Sequence, residues 1–166
     1  YDKAMYSWRT GSSQLLSDRG MRIGSNCFHI GILAILGGHL VGLLTPHWMY
    51  EPFITTAQKQ LLAMVVGGVF GVLCLVSILL LRRLTNPRVR ATGNFGDILV
   101  LVLIFAQLCL GLYSIRISAD HLDGSVMVML AEWAQHIVTF RAGAADFVLS
   151  VHWVYKAHIF LGLTLL

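Results

Sequence analysis

Asn26-Cys27-Phe28-His29-Ile30-Gly31-Ile32-Leu33-Ala34-Ile35-Leu36-Gly37-Gly38-His39-Leu40-Val41-Gly42-Leu43-Leu44 contains no Asp, Glu, Lys or Arg. A bilayer core about 30 Å thick is crossed by about 20 mostly apolar helical residues, so this stretch predicts a membrane span. Two further windows meet the same test, from about Leu61 to Leu81 and from about Ile98 to Ile115. A fourth begins near Phe147 and runs to the last residue. The fold class expected is all-α, an integral membrane helical bundle in one domain with four transmembrane helices in this chain. Composition agrees: of 166 residues, 57% are hydrophobic and 12% charged, and mean hydropathy is +0.74. A soluble domain carries charge on about a quarter of its residues.

The same composition excludes several function classes. Cys27, Cys74 and Cys109 stand singly in apolar stretches, which argues against a disulfide scaffold, a CxxCH haem attachment, a zinc knuckle or a cluster-binding run. They read as packing residues. The net charge of +4 is not spread as an aromatic-interleaved basic stripe, so no nucleic-acid partner is expected.

Charge placement sets the expected topology. Arg82-Arg83-Leu84-Thr85-Asn86-Pro87-Arg88-Val89-Arg90 holds four arginines in nine residues, with a proline that stops a helix. Together with Lys3, Arg9, Arg19 and Arg22 this puts eight basic residues on one side, against Lys59, Arg116 and Arg141 on the other. The positive-inside rule then places the N-terminal segment in the cytoplasm and loops 45–60 and 116–146 outside. Within the second outer loop, Met127, Leu130, Trp133, Ala134 and Ile137 recur at helical spacing over Val126–Phe140. That segment is expected to lie along the membrane surface, with Trp48, Tyr50 and Trp133 at the outer interface.

Seven histidines are many for so few charges. His29 and His39 share the first apolar helix, where polar side chains are costly and usually functional. Ten helical residues give about 15 Å of rise and a net azimuth of about 80°, so the two face one broad sector at two depths. His158, on a segment descending from the outer side, matches the depth of His39. An iron porphyrin takes two axial nitrogens from opposite sides, which neutral imidazoles on facing helices supply. Interhelical hydrogen bonding is the plainer alternative for any one of them. His47, His121, His136 and His152 read as interface residues.

Gly31, Gly37, Gly38 and Gly42 thin the helix around His39, either for a flat macrocycle or, as the Gly38/Gly42 GxxxG pattern suggests, for helix packing. Lys59 and Lys156 sit at expected membrane ends, where lysines usually snorkel to water. Beside a haem, Lys59 is also positioned to donate to a quinone carbonyl, with the second nitrogen of a liganding histidine as the other contact.

Phe28-His29-Ile30-Gly31, Gly38-His39, Leu44-Thr45-Pro46-His47-Trp48-Met49-Tyr50-Glu51, Pro87-Arg88-Val89-Arg90-Ala91-Thr92 and Lys156-Ala157-His158-Ile159-Phe160-Leu161-Gly162 together resemble one family over essentially the whole chain. It is the gamma subunit of membrane-bound respiratory nitrate reductase. The resemblance implies a five-helix cytochrome carrying two haem b in a bacterial or archaeal cytoplasmic membrane. Such a subunit oxidises menaquinol or ubiquinol outside and feeds an iron–sulfur beta subunit and a molybdenum-containing alpha subunit, where nitrate becomes nitrite. Position by position, His39 and His158 match the axial ligands of the outer (distal) haem, and His29 matches one ligand of the inner (proximal) haem. Lys59, His39 and Gly38 fall at the quinol site; no residue is expected to do catalytic chemistry on its own.

Two departures follow from the same resemblance. The family's first helix would precede Tyr1, and the second ligand of the proximal haem would follow Leu166, so this sequence is expected to be part of a longer chain. Two rivals share parts of the pattern. One is a dihaem cytochrome b of a sulfite- or heterodisulfide-type reductase; the other is a cofactor-free membrane anchor.

Overall fold

The computed structural model describes residues 19–77 and 95–165. The arginine-rich loop at 82–90 and the N-terminal segment before residue 19 lie outside the described residues, as does the far end of the second predicted span.

All regular structure among the described residues is helical: α1 (Arg19–Leu44), α2 (His47–Tyr50), α3 (Thr56–Ser77), α4 (Phe95–Ser118), α5 (Ser125–Val138), α6 (Asp146–Leu149) and α7 (Trp153–Thr164). The stretches Arg22–Leu44, Thr56–Ser77 and Phe95–Ser118 are long and apolar enough to cross a membrane. Each contains the corresponding predicted window or its described part, and extends it by a turn or so of less apolar residues. These add hydrogen bonds at the helix end.

The fourth predicted span departs from expectation. A continuous helix from Phe147 is replaced by the single turn α6 and then α7, with residues 150–152 between them. The cause is His152, whose Nδ1 accepts from the backbone N–H of Val154 at 3.3 Å and caps a fresh helix start. At 1.5 Å per residue the 12 residues of α7 rise about 18 Å.

The long helices pack in sequence, α1 on α3, α3 on α4 and α4 on α7, while α5 lies against α1. Glycines set two of these approaches. A Cβ on Gly31 would collide with Cys74 Sγ of α3, and one on Gly71 would come within 2.7 Å of Leu112 in α4. Cys74 is buried at that seam and its thiol faces Phe28 O at 3.6 Å, as a packing residue.

One end of the bundle is closed by loops and α5. Gln60 is buried and its amide donates to Ser118 O at 3.0 Å and His121 O at 2.8 Å, satisfying carbonyls where α4 ends. Gln135 donates to Leu43 O at 2.9 Å, tying α5 to the end of α1. Before α5, Asp123 Oδ1 accepts from Ser125 N and Ser125 Oγ, and Gly124 holds φ +80 with Thr56 pressed against it. A side chain there would meet both the left-handed backbone and the methyl of Thr56. The helix expected over 126–140 is thus present as Ser125–Val138, with Ala131 and Ala134 buried on its inner face.

Candidate functional site

Helix α1 is continuous through both of its histidines. Each ring is tied to the turn before it in the same way: His29 Nδ1 donates to Ser25 O at 2.7 Å and His39 Nδ1 donates to Ile35 O at 2.8 Å. A carbonyl only accepts, so both rings carry the proton on Nδ1 and leave the lone pair on Nε2. Metal-ligating histidines are commonly held in this way, with the second ring nitrogen donating to a backbone carbonyl. Both residues stand on exposed stretches of α1.

His158 on α7 meets His39 but not His29. The His39 and His158 ring centres are 6.0 Å apart with planes tilted by 32°, although α1 and α7 are not among the closely packed helix pairs. The imidazoles therefore come together across a gap between backbones. The glycines around His39 divide accordingly. Gly31 serves helix packing, whereas a Cβ on Gly37, Gly38 or Gly42 would meet nothing within 4 Å. Among the described residues no side chain or backbone fills the space a Cβ on Gly38 or Gly42 would take, so the open side of α1 lies along the His39 turns.

Lys59 differs from the picture of a loop lysine reaching for water. It lies in the first turn of α3, only 9% exposed. Its Nζ donates to Gly42 O at 3.1 Å and stands 3.8 Å from the centre of the Tyr50 ring, a cation–π contact. Gly42 is three residues past His39, so Lys59 reaches the same helix within a turn of that ring. Tyr50 is buried by this contact and by His47, whose ring is 5.1 Å away. It is thus an internal anchor, whereas Trp48 is exposed. Lys156 is exposed and donates to Leu149 O at 2.8 Å.

The remaining histidines are engaged in loops and caps. His47 contacts Glu51 and Thr56, His136 donates to Ala142 O, His152 caps α7, and His121 lends its carbonyl to Gln60.

Two residues of α4 that the sequence does not single out also reach His158. Gln107 Nε2 donates to His158 O at 3.0 Å and also lies 3.4 Å from His158 Nε2. A Cβ on Gly111 would meet the His158 ring at 3.0 Å. Neither residue signals itself in sequence, because an amide or a glycine inside a span takes its meaning from the helix facing it.

The family model of the nitrate reductase gamma subunit matches residues 1–166. The chain belongs to the nitrate reductase gamma subunit family. It is 53% identical to the respiratory nitrate reductase 2 gamma chain of Escherichia coli and 51% identical to the respiratory nitrate reductase 1 gamma chain of the same organism, in each case over 99% of this chain and 74% of the relative. The nitrate reductase gamma chain of Bacillus subtilis is 30% identical over 98% of this chain and 74% of that protein. These relatives are gamma chains of an oxidoreductase, and this gamma subunit is accordingly a respiratory membrane subunit of a multi-subunit nitrate reductase.

Proposed function

We propose that this gamma subunit is the dihaem cytochrome b of its complex. In this reading it oxidises quinol near the outer face of a bacterial or archaeal cytoplasmic membrane and supplies iron–sulfur and molybdenum subunits that reduce nitrate to nitrite. The observation that carries the reading is the facing pair His39 and His158. The two rings come from different helices and stand 6.0 Å apart between centres, so together they could hold one haem iron. Among the described residues no group of three or more His, Cys, Asp or Glu comes together to hold a bare metal ion. A haem would bring four nitrogen donors of its own, so His39 and His158 would be enough to hold it. Haem b, when bound, supplies reversible one-electron chemistry.

His39 and His158 would hold the distal haem, and His29, about 15 Å along α1, would serve as one ligand of the proximal haem. The residues around His39 suit quinol. Lys59 Nζ has three hydrogens, of which Gly42 O takes one while the Tyr50 face supports the charge, so a donor remains for a quinone oxygen. Gly38 leaves α1 bare beside that position. His39 Nδ1 is committed to Ile35 O, so a quinol hydroxyl contacting this ring would share that proton.

The test is the complete, haem-replete complex. A dithionite-reduced b-type α-band and quinol-dependent nitrate reduction are expected. Absence of the band would leave a cofactor-free anchor, and a band with reduction of another acceptor but no nitrate reduction would favour a different reductase.

A further inference from the structure

Four positions on α4 fall on one helical face, at intervals of four, three and four residues, and all four engage α7. Gln107 and Gly111 meet His158. Ser114 O accepts from Tyr155 Oη at 3.2 Å, and Ser118 Oγ shares a 2.6 Å hydrogen bond with the same hydroxyl. Tyr155 is buried and stands one turn before His158, so the two side chains share a face of α7. The stripe therefore fixes both the rotation and the depth of α7, and with them the direction in which His158 projects.

Gln107 does this at the ring itself. Its NH2 has two hydrogens: one goes to His158 O at 3.0 Å and the other faces His158 Nε2 at 3.4 Å. Assigning the amide the other way would set two oxygens against each other at the carbonyl, so the donor orientation is chemically fixed. A donor facing Nε2 requires a lone pair there and places the ring proton on Nδ1. This is the tautomer that Ile35 O and Ser25 O impose on His39 and His29. The contact is close because the backbone is bare on both sides. A Cβ on Gly162 would meet Gln107 Nε2 at 3.0 Å, and one on Gly111 would meet His158 Cε1 at 3.0 Å. Buried and without partners here are Gln107 Oε1 and His158 Nδ1, so this cluster of polar atoms is held by packing as much as by hydrogen bonding.

We propose that Gln107 and Gly111 are positioning residues for His158: the amide holds its backbone turn through His158 O, and the bare glycine seats the ring against α4, while the 3.4 Å contact at Nε2 is one that a metal bound at that lone pair would replace. The inference rests on the reading of His158 as an axial ligand, and the experiment separates the two. In the full-length gamma chain within its complex, low-spin haem signals and midpoint potentials are measured for His158→Ala, Gln107→Leu, Gln107→Asn and Gly111→Ala. His158→Ala is expected to abolish one haem signal. Gln107→Leu and Gly111→Ala are expected to keep that haem but shift its g-values and potential, leaving the other haem at wild-type values. Gln107→Asn, which shortens the arm by one carbon, is expected to give a smaller shift in the same haem. Gly111→Ala asks for a displacement of only a few tenths of an ångström, so it keeps the test open if Gln107→Leu does not assemble. Gly67→Ala, whose added Cβ would find ordinary contact at 3.7 Å from Ile115, is the packing control and should move neither signal. If His158→Ala leaves both signals intact, the ligand assignment falls and takes this inference with it. If His158→Ala removes one signal while the Gln107 and Gly111 variants leave it unshifted, or shift both haems alike, the ligand reading stands and the positioning role is overturned.

Discussion

Lys59 shows how far a single residue's role depends on what folds back onto it. In sequence it is a lysine at a membrane end, a position where water usually wins. In the structure Tyr50, brought round by the α2 turn, covers its ammonium, and Gly42 O takes one hydrogen. Lys59→Ala is expected to leave both haems bound while slowing their reduction by quinol at least tenfold, about 1.4 kcal/mol, within reach of one charge-assisted hydrogen bond. Reduction by dithionite should proceed at the wild-type rate. Arginine should restore only part, since its planar fork presents donors differently. Unchanged quinol-driven reduction in Lys59→Ala would make the residue a structural anchor only. The histidines make the complementary case. Depth along a helix is legible in sequence, and the pairing of His39 with His158 over His29 follows from it. His39→Ala and His158→Ala should therefore remove the same haem and His29→Ala the other, as followed by redox titration; different losses from the first two would break the pairing. What sequence could not give was Gln107 and Gly111, whose meaning depends on the rotation of α4 against α7.

At the scale of elements, hydropathy located the three long helices because an uninterrupted apolar run has one physical solution in lipid. It missed the break before α7, because the cap there is an imidazole nitrogen and not one of the usual hydroxyl or carboxyl caps. His152→Ala is expected to fray the first turn of α7, seen as faster amide exchange at Val154 and Tyr155, with His158 further along the helix still protected. The other helix start fixed by a side chain is that of α5. Asp123 is held below its ordinary value of 3.8, chiefly by the hydrogen bonds from Ser125. A depressed carboxyl stabilises the fold fully above its unfolded pKa and loses that contribution as pH falls through the folded value. Asp123→Ala should therefore speed exchange in the first turn of α5 at neutral pH, and the difference from wild type should shrink as the medium is acidified below 3.8. A difference that persists there would mean that the carboxylate charge is not what holds the turn.

At the scale of the whole molecule, the proposed function requires that the two histidine depths on α1 map onto the two faces of the membrane. The structure supplies an asymmetric bundle. Residues 45–55, the α4–α5 turn and α5 all close the end nearer His39 and Lys59, and the first turns of α1 lead away from it toward His29. Which end faces the cytoplasm is a question of charge, and the arginines at 82, 83, 88 and 90 decide it in the sequence reading. Electrons consumed inside and protons released outside would then move net charge across the bilayer, whereas the opposite orientation would release the protons on the side where nitrate is reduced. The test uses single cysteines in a chain whose Cys27, Cys74 and Cys109 are replaced by alanine or serine. With an impermeant maleimide added to intact cells, Leu122→Cys in the exposed turn before α5 should be labelled and Asn86→Cys should not. After lysis both should react. Labelling of residue 86 in intact cells would invert the bundle. His29 would then lie toward the outer face, and the quinol site proposed at Lys59 would open to the cytoplasm.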